Sequence, residues 1–264
     1  MQLKANGILI NYKSSGREGA PVVVLSHSLG SSLVMWEPLL TALEPHFRIL
    51  RYDTRGHGGS EAVAGQYSFE LLAEDMVGLL DGLGLSKIHF IGLSMGGMIG
   101  QALGLYHSDR LLSLTLCDTA AANPLGSREI WAERIELVRK KGLAPLLEPT
   151  LERWFTSEFV RQAPPILEEI RRQFLATSLN GYLGCSQAIM ELDYLEKIGE
   201  IQIPTLIVVG EEDPGTPVSA ARALQERIVG SKLVILPGAR HLSNVEQPEA
   251  FNRAVLEFLT VIRK

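Results

Sequence analysis

Gly92-Leu93-Ser94-Met95-Gly96 sits between an apolar strand over residues 87–91 and a small-residue helix, GMIGQALGLY, that starts near Gly97. A serine on a sharp strand-to-helix turn is held out at the end of the strand with its hydroxyl accessible. The turn strains the serine backbone, and any side chain larger than hydrogen at positions 92 and 96 would collide across it. The bare G-x-S-x-G pattern is common. Its placement after IHFI and before an apolar helix is what makes it informative.

Working outward from that turn, residues 3–13 and 21–26 read as strands. Pro21-Val22-Val23-Val24-Leu25 is a continuous β-branched run, as expected of a strand buried on both faces. A short helix over 35–43 and a strand over 47–52 follow, closing on Asp53-Thr54-Arg55-Gly56-His57-Gly58-Gly59-Ser60. Phe69, Leu72, Met76, Leu79, Leu80 and Leu83 recur at helical spacing over 68–83. Beyond the turn come a helix over 97–107 and a strand over 111–117. After Asp118 the rhythm changes, and residues 127–195 show helical periodicity without strand-like runs. Strands return at 204–209 and 232–236, and a helix over 248–262 ends the pattern. Such βα alternation implies an α/β fold with a mostly parallel central sheet and helices on both faces. The all-helical insertion divides it into a core, 1–122 and 198–264, and a cap, 123–197, placed to cover the site. There is no internal repeat or low-complexity tract.

The chain of 264 residues is long enough for one large α/β domain, and its 46% hydrophobic and 21% charged content is that of an ordinary globular protein. A formal charge of −5 offers no global attraction to nucleic acid or to an acidic membrane surface. An anionic substrate therefore needs a local positive site. Cys117 and Cys185 make no disulfide framework, Cys117 reads as a buried thiol, and no C-x-x-C or Cys/His cluster suggests a metal. The N-terminal MQLKANGILINYK lacks the apolar centre of a signal peptide, and no apolar run reaches the roughly 20 residues needed to span a bilayer. A cytoplasmic location is the simplest expectation.

A serine hydroxyl needs a base to become a nucleophile, and the base needs a carboxylate to fix its tautomer and stabilise its cation. In an open α/β sheet such groups gather at the C-terminal ends of the strands, here in the chain order Ser, acid, His. Of six histidines, His27, His57 and His241 lie in loops after strands, and only His241 follows Ser94. It occupies the loop Leu236-Pro237-Gly238-Ala239-Arg240-His241, which can reach back to the turn. His27 and His57 are expected to order their glycine-rich loops. Two residues compete as the acid. Asp118 ends the strand after Ser94, whereas Asp213 follows strand 204–209 in Gly210-Glu211-Glu212-Asp213-Pro214 and has the fuller signature. A tetrahedral intermediate needs two backbone donors, assigned to Met95 and to Leu29 in the loop after strand 21–26.

These segments together resemble the α/β-hydrolase superfamily over nearly the whole chain, and within it the 3-oxoadipate enol-lactonases. The matching pieces are SHSLGSSLVMWEPLL (26–40), RYDTRGHGGS (51–60), HFIGLSMGGMIGQ (89–101), GYLGCSQAIMELD (181–193), PTLIVVGEEDPGTP (204–217) and GARHLSNVEQPEAF (238–251). Ser94 at the turn argues against haloalkane dehalogenases, which use Asp there. The resemblance implies hydrolysis of a small anionic enol-lactone to 3-oxoadipate in the β-ketoadipate pathway, through an acyl-enzyme on Ser94 and without metal or organic cofactor. Trp131 and Trp154 are candidates to wall the pocket and to bond the substrate carboxylate, or simply to pack cap helices together. Met98 and Leu125 read as core or pocket lining. Arg128, Arg134, Arg139, Arg153, Arg171 and Arg172 read mostly as a solvated helix face, of which one could pair with the carboxylate.

Other readings use the same residues. A general carboxylesterase or haloperoxidase-like hydrolase would cleave short aryl esters well, and a carbon–carbon bond hydrolase would differ only in its cap. A ligand sensor that hydrolyses slowly belongs to another class; loss of Ser94, Asp213 or His241 would have favoured it, and all three are present. Oligomeric state leaves no mark in the sequence.

Overall fold

The computed structural model describes residues 1–123 and 128–262. Its eight strands are β1 (Gln2–Ala5), β2 (Ile8–Gly16), β3 (Val22–Ser26), β4 (Arg48–Tyr52), β5 (Ile88–Leu93), β6 (Leu111–Cys117), β7 (Thr205–Gly210) and β8 (Lys232–Leu236). They form one sheet in the order β1-β2-β4-β3-β5-β6-β7-β8. From β4 to β8 all neighbours are parallel, while β1–β2 and β2–β4 are antiparallel. β3, β5 and β7 are buried along their whole length, which accounts for their largely apolar sequence. The expected single strand over 3–13 is instead a hairpin. Asn6 and Gly7 take φ of 44° and 82°, turning β1 back on β2, a conformation that Asn-Gly adopts readily.

Eleven helices complete the described residues: α1 (Glu37–Leu43), α2 (Phe69–Gly82), α3 (Met95–Tyr106), α4 (Arg128–Lys141), α5 (Leu147–Trp154), α6 (Ser157–Gln162), α7 (Pro165–Ala176), α8 (Leu179–Met190), α9 (Val218–Arg227), α10 (Ser243–Glu246) and α11 (Pro248–Ile262). The apolar side of α2 is buried through Phe69, Leu72, Met76, Leu79 and Leu80, as its period requires. α3 begins at Met95, immediately after Ser94, rather than near Gly97. None of the described helices is long and apolar enough to cross a membrane.

Between β6 and β7 the described residues hold five α-helices, α4 to α8, two short 3-10 turns and a single isolated bridge, Ala122 to Asp193. That bridge ties the outgoing and returning chain together. Asn123 N donates to Leu192 O at 3.1 Å and Tyr194 N to Ala121 O at 2.7 Å. Trp154, Phe174 and Tyr182 are fully buried and meet edge-on, giving the helical segment an aromatic centre. α8 is pressed on the loop after β4, where a Cβ on Gly181 would stand 2.3 Å from Gly56 O. Ser178 N donates to the same carbonyl at 3.2 Å. Gly181→Ala is therefore expected to lower unfolding stability by about 1–3 kcal/mol, by driving α8 off the core. Thermal unfolding of the two proteins checks it.

Candidate active site

Because β3, β5, β7 and β8 run parallel, the loops that leave them open on the same edge of the sheet. Ser94 leaves β5 with φ 57° and ψ −115°, outside the regions that a non-glycine residue favours. The turn closes so tightly that a Cβ on Gly92 would meet Gly96 O at 2.1 Å, and one on Gly96 would meet Ser26 O at 2.1 Å. Three bonds hold the strained residue. Ser94 N donates to Cys117 O at 2.8 Å, and Ser94 O accepts from Met98 N at 3.0 Å and from the Thr119 hydroxyl at 2.8 Å.

His241 Nε2 lies 2.8 Å from Ser94 Oγ, and its Nδ1 lies 2.7 Å from Asp213 Oδ2. An ionised carboxylate can only accept, so Nδ1 carries the imidazole proton and Nε2 faces the serine hydroxyl as acceptor. Asp213 is nearly saturated with donors. Oδ1 takes Gly215 N at 2.8 Å and Thr216 N at 3.1 Å, and Oδ2 takes the Thr216 hydroxyl at 2.6 Å beside His241. Burial alone would raise its pKa, but the nearby His241 and the Thr216 donors hold it below the ordinary carboxylate value. The turn Asp213-Pro214-Gly215-Thr216 thus makes its own acceptor site, and Thr216 is a contributor that the sequence reading passed over.

The rival acid, Asp118, does not meet His241. Its Oδ1 accepts from Gly210 N at 2.8 Å and its Oδ2 from the Ser243 hydroxyl at 2.5 Å, tying β6, β7 and α10 together. Burial, and then the charge of Asp213, push its pKa well above the carboxylate range, against the pull of those two donors.

Leu29 N and Met95 N make no bond to an acceptor among the described residues. Met95 N is a first-turn amide with no intrahelical partner. Leu29 N stands between two engaged amides, because Ser28 N approaches Met35 Sδ at 3.4 Å and Gly30 N donates to His57 Nε2 at 3.0 Å. His27 Nε2 likewise accepts from Thr54 N at 2.8 Å. Both histidines are buried and pin loops, the role expected for them. Burial lowers the pKa of His27, and burial beside His27 pushes that of His57 down to about 3.

Ser94, His241, Thr216, Ser28 and Leu29 face the cap across a small pocket. A wider groove between β8 and α11 contains none of them. The cap side of the pocket is Trp131, Arg134, Arg153, Trp154 and Ile189, with Met98 below. Both tryptophans therefore line the pocket and pack in the cap at once. The indole N–H of Trp131 is committed to Asn123 Oδ1 at 3.0 Å. Leu125 lies outside the described residues.

The arginines divide. Arg128, Arg139, Arg171 and Arg172 pair with helix carboxylates, whereas Arg134 and Arg153 line the pocket. Spacing alone does not separate the two groups, because Arg134 and the paired Arg171 both fall on the apolar side of their helices. The cap also grips the His241 loop. Glu246 accepts Thr156 N at 2.7 Å on one oxygen and Arg240 N at 2.7 Å on the other, and Leu242 N donates to Trp154 O at 3.1 Å. Among the described residues no group of three or more His, Cys, Asp or Glu is placed to hold a metal ion.

The α/β hydrolase fold family model matches residues 21–248. The chain is 38% identical to 3-oxoadipate enol-lactonase 2 of Acinetobacter baylyi, over 96% of this chain and 94% of that protein. Among solved structures, the enol-lactonase from Burkholderia xenovorans LB400 superposes with a TM-score of 0.95 at 40% identity, covering 98% of this chain and all (100%) of that one. A thermophilic esterase from Thermogutta terrifontis, solved with malate bound, gives a TM-score of 0.92 at 30% identity, with 100% of each chain covered.

Two predictions follow from the buried groups. Asp213→Asn is expected to lower kcat by about 10³- to 10⁴-fold by removing the charge behind the imidazole. Asp118→Asn changes a carboxyl that bonds Gly210 N and the Ser243 hydroxyl rather than His241, and costs less than about tenfold; steady-state kinetics of both variants decide it. His57 binds a proton in the unfolded chain below about pH 6.5 but in the folded one only near 3. Stability is therefore full above pH 6.5 and falls with acidification, by about 1.4 kcal/mol per pH unit from this residue. Unfolding followed between pH 8 and pH 5 should show a steeper loss than in His57→Gln. With the fold, the site geometry and the full-length similarity together, the chain belongs to the α/β hydrolase fold family and is a hydrolase.

Proposed function

We propose that this hydrolase opens 3-oxoadipate enol-lactone to 3-oxoadipate, a step of the β-ketoadipate pathway of aromatic degradation, through an acyl-enzyme on Ser94. The observation that carries the reading is the Ser94–His241–Asp213 relay, at 2.8 and 2.7 Å, under a cap that closes a small pocket. Similarity to enol-lactonases that runs through the cap as well as the core supports the substrate.

In the first half-reaction Ser94 Oγ attacks the lactone carbonyl and His241 Nε2 takes its proton. Charge develops on the carbonyl oxygen, toward which Leu29 N and Met95 N can donate. Collapse breaks the ring C–O bond. The enolate leaves, takes a proton from the imidazolium, and becomes the ketone, while the acyl group stays on Ser94. In the second half His241 draws a proton from water, whose oxygen attacks the ester. The new carboxylic acid departs and the proton returns to Ser94. Asp213 remains ionised and stabilises the imidazolium in both halves.

The second reading, a carboxylesterase of broad taste, is favoured by the similarity to the Thermogutta terrifontis esterase. Turnover of freshly generated enol-lactone beside 4-nitrophenyl acetate separates the two. The expected result is a kcat/KM for the lactone at least about 100-fold above that for the ester. Fast ester cleavage with negligible lactone opening makes the protein an esterase. Ser94→Ala should fold normally and lose at least about 10³-fold in turnover of either substrate; substantial residual activity would sink the nucleophile assignment.

A further inference from the structure

The pocket holds two guanidinium groups in unequal states. Arg134 is engaged. Its Nε donates to Tyr182 Oη at 2.8 Å and its Nη2 to Thr150 Oγ1 at 3.2 Å, and the group lies 5.7 Å from the Trp131 and Tyr182 ring centres. Arg153, half-buried at the end of α5, has no carboxylate or other hydrogen-bond acceptor among the described residues. Its stem runs beside Gly215, where a Cβ would lie 3.4 Å from Arg153 Cδ. The carboxylate whose charge acts on it is Asp213, whose oxygens are already taken by His241, Thr216 and Gly215 N. Burial, reinforced by the like charge of Arg134, lowers its pKa to about 10, so it remains a cation at neutral pH.

A desolvated cation without a counter-ion is costly, and the cost is offset only when an anion reaches it. The planar fork of a guanidinium suits a carboxylate, which it can bind by two parallel hydrogen bonds. Trp131, Trp154, Met98, Ile189 and Leu29 supply mostly carbon surface to the rest of the wall. We propose that Arg153 is the specificity-determining group of the pocket, pairing with a carboxylate carried by the substrate a few atoms from the carbonyl that Ser94 attacks, with Arg134 held beside it as a second positive charge. The inference deepens the lactonase reading and rests on it for the physiological substrate. The preference it assigns, for esters and lactones bearing a carboxylate over neutral ones, holds for any acyl group that fits.

The test uses a matched pair of probes, mono-4-nitrophenyl succinate and 4-nitrophenyl butyrate, with wild type, Arg153→Met and Arg153→Lys. Wild type is expected to favour the succinate half-ester in kcat/KM. Arg153→Met should cut the half-ester-to-butyrate ratio by about 10- to 100-fold, chiefly through the KM of the half-ester, and Arg153→Lys should restore part of it. A ratio unchanged in Arg153→Met, or no wild-type preference, overturns the proposal. Should Arg153→Met not fold, wild-type inhibition decides: succinate competing with butyrate ester cleavage where succinamide does not supports it, and equal inhibition by both contradicts it. Failure of the two readings is distinguishable. An Arg153-dependent half-ester preference without enol-lactone turnover removes the lactonase assignment alone, whereas lactone turnover untouched in Arg153→Met removes the carboxylate assignment alone.

Discussion

The backbone of Ser94 is the constraint on which the site depends. A serine at φ 57° and ψ −115° is costly on its own, of the order of 1–3 kcal/mol, and persists because its surroundings over-determine it. β5 and β6 are bonded through Ser94 N to Cys117 O, Gly92 and Gly96 allow the chain to fold back on itself, and Thr119 fixes the serine carbonyl. The consequence is chemical. The side chain stands clear of both strand and helix, and the next amide, Met95 N, opens α3 with no partner of its own. The same turn thus presents the Ser94 hydroxyl to His241 and, next to it, an amide with no acceptor among the described residues.

Around that fixed point the remaining groups are placed by parallel strand ends, and their charges are kept apart by environment. Asp213 and Asp118 are both buried carboxyls within electrostatic reach of each other. The donors of the 213–216 turn and His241 keep Asp213 ionised, so Asp118 is driven toward its neutral form and left to brace β6, β7 and α10. The cap is not an independent lid in this arrangement. Glu246 and Leu242 bond the His241 segment to the α5–α6 corner, and that corner also carries Trp154 and Arg153. The cap wall of the pocket and the His241 segment are consequently one mechanical unit.

Much of the scaffold was legible because it demands particular residue types. Glycines flanking a serine after an apolar strand, continuous β-branched runs, and a helical stretch interrupting sheet rhythm each leave a pattern of their own. His241 was legible by its place after β8 and after Ser94. Other features leave less trace. The Asn6-Gly7 hairpin shows in sequence only as that dipeptide and a change of phase, the inward positions being Leu3 and Ala5 in β1 but Ile8, Ile10 and Tyr12 in β2, and over so short a first arm the change is easily absorbed into one strand. Choosing Asp213 over Asp118 as the partner of His241 takes the spatial meeting of three loops. Leu29 N and Met95 N are backbone groups available at any residue. The division of the cap arginines leaves little trace in sequence, since Arg134 falls on the apolar side of α4 between Trp131 and Val138, but the carboxylate-paired Arg171 falls equally between Leu167 and Phe174 on α7. Only the unpaired state of Arg153 beside a saturated Asp213 separates them.

Covalent labelling with a fluorophosphonate that mimics the tetrahedral intermediate tests the central claim most directly, read by intact mass and peptide mapping. One adduct per chain on Ser94 is expected, with loss of hydrolysis in proportion to labelling and labelling at least about 100-fold slower in His241→Ala. An adduct on another residue, or full labelling of Ser94 with turnover retained, would contradict it.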